Sequence, residues 1–133
     1  MMDSKRYQAG LARLNELDPN AAQHLKETFQ AICPELADLI ISFPFGEVLS
    51  REGLDFQTRE LATISALTAM GNCQPQLASH IKGALHIGCQ PQQIVEVILQ
   101  TAVYAGFPAA INGMTIAKRV FQESGIIDTD SDD

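Results

Sequence analysis

The chain has 133 residues, a formal net charge of −7 and a hydrophobic share of 46%, a length suited to one domain that buries roughly two-thirds of its unfolded surface. Only nine Lys and Arg stand against 16 acids, with no basic cluster, which argues against nucleic acid as a partner. No apolar run reaches the ~18 residues of a membrane span, and the polar start "MMDSKRYQAG" lacks the hydrophobic region of a signal peptide, so a cytoplasmic location is expected.

The mean hydropathy of +0.02 is high for so acidic a chain. Burial of apolar surface between subunits is therefore expected. Four of the acids, Asp128, Asp130, Asp132 and Asp133, fall in the terminal stretch "DTDSDD", and without them the net charge is −3. We expect one domain over residues 1–125 and an acidic disordered tail over 126–133. A local arginine can still recognise a small anionic substrate on so mildly acidic a body.

Prolines and glycines punctuate the chain. Asp18 before Pro19 reads as an N-cap followed by proline at the first helical position, opening a helix that reaches about Ala31. Pro34 restarts the chain as "ELADLIISF", expected to stop at Pro44, and "FGEVLSREGL" reads as a short turn of helix and a loop. Asp55 is placed to cap the next helix, which ends near Gly71, and "QLASHIKGALHIG" forms another with Gly88 in the C-terminal capping place. The stretch "QQIVEVILQTAVYAGF" is rich in β-branched residues, yet Ile94, Val97, Ile98, Thr101 and Ala105 recur at helical steps, so it too is helix. A last helix opens at Pro108 and places Ala110, Gly113, Met114, Ala117, Val120 and Phe121 on one stripe. Gly113 in its middle costs about 1 kcal/mol in propensity, which points to a close helix approach. The expected fold is all-α, with six or seven helices. Neither inward Glu residues nor an E-x-x-H pair suggests a metal-binding bundle, and no metal is expected.

Helical geometry selects candidate residues. Turning about 100° per residue from Leu77, the residues Leu77, Ile81, Ala84 and Leu85 share one wedge, with His80 at its edge and His86 on the opposite side. His80 is then partly buried, either as a histidine satisfied at the core border or as one whose tautomer a neighbour sets. Glu60 projects alongside Ile64 and Leu67, where an acid calls for a partner such as a histidine; the plainer alternative is a carboxylate complementing the helix dipole. Glu47 and Arg51, four apart, form either a surface ion pair or part of a site. Cys33, Cys73 and Cys89 are odd in number and contain no C-x-x-C, which fits three buried free thiols.

Taken together, "FGEVLSREGLDFQTRELATISALTAMG" and "LASHIKGALHIGCQPQQIVEVILQTAVYAGFPAAINGMTIAKRVF" make the chain resemble the carboxymuconolactone decarboxylase family over about residues 43–121, most specifically at "VYAGFPAAIN". The resemblance implies an all-helical alkylhydroperoxidase D-like fold assembled as a homo-oligomer, a hexamer or trimer. Two chemistries are known on that fold. The peroxidase branch, a thiol-redox chemistry, needs C-x-x-C ahead of the helix histidine, but Cys73 stands seven residues before His80 and Gln76 occupies the place four before it. The decarboxylase branch needs neither metal nor cofactor, because 4-carboxymuconolactone or a related vinylogous carboxylate is its own electron sink. By resemblance, Arg51 would anchor a carboxylate, His80 would deliver a proton or stabilise an oxyanion, Glu60 would orient the imidazole, and Glu47 would hold Arg51 or join a proton relay. The chain reads "FGEVLSR" where decarboxylases of the family tend to read "WGEIWTR", so the pocket wall differs. The remaining alternative is a helical oligomer without catalytic activity.

Overall fold

The computed structural model describes residues 4–130. Seven α-helices carry them: α1 (Lys5–Leu17), α2 (Ala21–Phe29), α3 (Pro34–Ile40), α4 (Phe56–Met70), α5 (Gln74–His86), α6 (Pro91–Ala105) and α7 (Phe107–Glu123), with a π-helical segment, Ile41–Val48, continuing α3. There is no strand among the described residues, and none of their helices is long and apolar enough to cross a membrane. Contacts divide the chain into two compact units, residues 1–56 and 57–133.

In the first unit, Tyr7, Gly10, Leu14 and Leu17 recur at three- and four-residue steps and form the buried face of α1. Ser4 caps this helix, its hydroxyl accepting from the Tyr7 N–H at 3.0 Å. Sequence reading assigned no element here. The face packs on the π-helical segment with almost nothing between the backbones: a Cβ on Gly10 would strike the Ile41 carbonyl, and one on Gly46 the Arg6 carbonyl.

Two boundaries differ from expectation in this unit. Asp18 does not cap α2. Its N–H closes α1 on the Leu14 carbonyl, while its carboxylate accepts from the Asn20 N–H at 2.9 Å, so Asp18-Pro19 forms a turn and α2 starts at Ala21. Nor does Pro44 end its helix. In an α-helix the ring would clash with the carbonyl four residues back, whereas the wider π turn accommodates it. The Leu49 N–H and the Ser50 hydroxyl each reach a carbonyl five residues back, on Pro44 at 2.8 Å and Phe45 at 2.6 Å.

The second unit holds an apolar core contributed by α4 to α7, in which Ile64, Ile81, Ile94 and Ile98 are wholly buried. Each such side chain stabilises the fold by about 1.5–3 kcal/mol. Gly113 is the point of close approach: a Cβ there would lie 2.7 Å from Thr68 Cγ2 on α4 and 3.3 Å from Ile98 Cγ2 on α6. Helix α5 closes as a Schellman motif, with Gly88 at φ +102° and the Cys89 N–H donating to the Ala84 carbonyl at 2.9 Å. Gly106, at φ +95°, makes the abrupt joint between α6 and α7.

Of the terminal stretch, residues 126–130 run irregularly past the end of α7; the Asp128 carbonyl accepts from Gln122, and Asp130 pairs with Lys118 at 2.9 Å. Asp132 and Asp133 lie outside the described residues.

Candidate active site

Helices α4 and α5 form a hairpin joined by the turn Gly71–Cys73. Gly71 reverses the chain at φ +78°, and Gln74 donates to its carbonyl at 3.0 Å. On α5 the residues Leu77, Ile81, Gly83 and Ala84 are buried and His86 is exposed. His80 stands at the border of that face. On α4 the Glu60–Ile64 stripe faces the core, so Glu60 enters it as a 0%-exposed carboxylate.

These two helices bring Glu60 and His80 together. His80 Nδ1 lies 2.7 Å from Glu60 Oε1, with the imidazole side chain 20% exposed. The short contact fixes the chemistry of both groups. A carboxylate accepting at Nδ1 favours the tautomer with its proton there and leaves Nε2 to exchange protons with another molecule. The partly exposed ring connects the buried acid to the surface. Glu60 Oε2 has no hydrogen-bond partner among the described residues, and a buried carboxylate with an unsatisfied oxygen is costly unless its charge is shared.

The other two candidates belong to the first unit. Glu47 accepts from Arg6 Nε at 2.9 Å across 41 residues, in an exposed ion pair. The four-residue α-helical spacing on which Glu47 and Arg51 were paired is not present: Glu47 sits in the π-helical segment and Arg51 in the loop beyond it, where it is exposed.

The thiols also depart from expectation. Cys89 alone is buried; Cys33 is exposed in the turn before Pro34, and Cys73 is half-buried in the α4–α5 turn, its thiol donating to Asn72 at 3.2 Å. All three are free. Among the described residues no cluster of three His, Cys, Asp or Glu could hold a metal ion.

Sequence reasoning missed two polar features of this unit. The hydroxyls of Ser65 and Thr101 meet at 3.2 Å between α4 and α6, each on a helix read mainly for its apolar residues. Gln57 joins the start of α4 to the end of α5.

Residues 34–119, well over half the chain and including Glu60 and His80, match the carboxymuconolactone decarboxylase family. The chain belongs to that family. It is 34% identical over 127 residues to a 4-carboxymuconolactone decarboxylase of Acinetobacter baylyi, covering 95% of this chain and 94% of the relative. An uncharacterized 15.0 kDa protein of Paracoccus denitrificans is 31% identical over 87% of both chains. A nitrosuccinic acid decarboxylase of Metarhizium robertsii is 30% identical over 65% of this chain and 59% of its own length. This carboxymuconolactone decarboxylase family member therefore resembles two proteins named for loss of carbon dioxide from different acids.

Proposed function

We propose that this protein is a decarboxylase that works without a cofactor on 4-carboxymuconolactone or a related carboxylate conjugated to an electron-accepting carbonyl. The observation that carries the reading is the buried Glu60 carboxylate 2.7 Å from the partly exposed His80 imidazole, within the matched region. Such a substrate supplies its own electron sink. As the carbon–carboxylate bond breaks, its electron pair moves through the ring double bond onto the lactone carbonyl, and carbon dioxide leaves. The resulting dienolate then takes one proton on carbon. His80 is suited to deliver that proton from Nε2 and regain it from solvent, while Glu60 holds the ring and stabilises its cationic form. Glu47, engaged with Arg6 at the surface, is read as a structural ion pair.

The test is turnover of carboxymuconolactone followed by its ultraviolet absorbance, without added cofactor. His80→Ala is expected to lower kcat by about 100-fold or more, the range of general acid–base catalysis, whereas exposed His86→Ala leaves it unchanged. Equal loss from both would discredit the assignment. Peroxide turnover with a dithiol that disappears in Cys73→Ser would replace it with a thiol mechanism.

A further inference from the structure

The α4–α5 hairpin is closed at one end by its turn, and something must hold the other. At that open end the Gln57 side-chain amide donates to the Ile87 carbonyl at 2.9 Å, while the Gln57 main-chain carbonyl accepts from the Cys89 thiol at 3.7 Å. Gly88 lies beneath the contact: a Cβ there would come 2.8 Å from Gln57 Nε2, so the glycine that ends α5 also admits the amide. One residue of α4 thus grips both sides of the α5 terminus.

The register of this grip is informative. Gln57 and Glu60 are three residues apart and neighbour each other on one face of α4. Ile87 follows His80 by seven residues, close to two helical turns, and so lies on nearly the same line along α5. The same two stripes that meet at Glu60–His80 therefore meet again at Gln57–Ile87. The pair is bracketed, with a covalent turn beyond it in one direction and the Gln57 clamp in the other.

From this geometry we infer that Gln57 is a positioning residue, whose amide fixes the spacing of α4 and α5 and thereby keeps the Glu60–His80 hydrogen bond short. Its catalytic consequence rests on the function proposed above, but the positioning itself does not. The amide satisfies one of the orphan carbonyls at a helix end, and the donor is what matters, since the Ile87 oxygen only accepts. A lysine, which donates and adds favourable positive charge at a helix C-terminus, can replace it; a leucine of similar size cannot.

The experiment follows the His80 Nδ1 proton by nuclear magnetic resonance in the full chain labelled with nitrogen-15 at histidine, the signal being assigned by its absence in His80→Gln. Helical circular dichroism checks each fold. Gln57→Leu, and Gln57→Ala as a second variant, are expected to speed exchange of that proton with water about fivefold, the equilibrium equivalent of one net hydrogen bond. Gln57→Lys is expected to restore the slow exchange. Exchange unchanged in Gln57→Leu and Gln57→Ala, or as fast in Gln57→Lys as in the leucine variant, would overturn the assignment. No substrate is involved, so an inactive protein with the expected exchange pattern would count against the decarboxylase alone.

Discussion

A carboxylate at 0% exposure with one oxygen unpartnered among the described residues is an expensive side chain, and its expense separates a functional role from a structural one. Replacing a buried charged group by an apolar residue of like volume is often neutral or stabilising, and His80 remains partly hydrated when its partner goes. Glu60→Leu is therefore expected to melt at the same temperature or higher while losing activity by about 100-fold. A large drop in melting temperature would instead make Glu60 a structural residue. Asp130 offers a contrast at the surface. Its hydrogen bond to Lys118, aided by the charge of that ammonium, holds the carboxyl below its ordinary value of 3.8. A lowered folded-state pKa adds stability that is present above the ordinary value and fades as the pH falls through the lowered one. Carboxyl resonances should titrate below 3.8 for Asp130 and return to the ordinary range in Lys118→Ala. Because the pair is exposed, the effect on stability is small.

At the level of elements, Gly113 makes the sharpest prediction. An added methyl group would meet Thr68 Cγ2 at 2.7 Å, and Thr68 is both buried and β-branched, with little freedom to turn away. Gly113→Ala should cost about 1–3 kcal/mol in chemical denaturation. Shortening the obstacle in the double variant with Thr68→Ser should recover part of that loss, a coupling that independent sites would not show. The same helices show what periodicity can and cannot convey. The facing of Glu60 and His80 is legible in part: the apolar stripe of α5 fixes the rotation of His80, whereas the buried face of α4 mixes Glu60 and Thr68 with Phe56 and Ile64, so its rotation is set by packing more than by pattern. The Arg6–Glu47 pair is not legible, since 41 residues separate the partners and only tertiary packing joins them. Pro44 was misleading for a local reason: proline forbids the α turn, and spacing alone does not reveal that the wider π turn accepts it. The face of α1 is written in Tyr7, Gly10, Leu14 and Leu17, but the polar residues between them give the segment the composition of a solvated terminus.

On the scale of the whole molecule, the all-α class is legible because the apolar residues of α5, α6 and α7 recur at helical steps, whereas the expectation of a homo-oligomer rests on an excess of hydrophobicity. The structure locates part of that excess. Leu99, Val103, Tyr104, Phe107 and Ile111 on α6 and α7 are all exposed, Val103 at 74% and Tyr104 at 91%. We propose that a second copy of the chain covers this surface, since so many large apolar side chains are rarely left to water. Light scattering should give a mass that is a multiple of 14.5 kDa, and Val103→Lys should lower it; a monomer at working concentration would refute the proposal. The packing of α1 on the π-helical segment has a different bearing. Where Gly10 meets the Ile41 carbonyl and Gly46 the Arg6 carbonyl, the obstacle to a methyl group is main chain. A crowded side chain can be trimmed by a compensating substitution elsewhere; a peptide group is common to all twenty amino acids and cannot be. Selection for second-site suppressors of Gly10→Ala or Gly46→Ala should therefore return chiefly reversion to glycine.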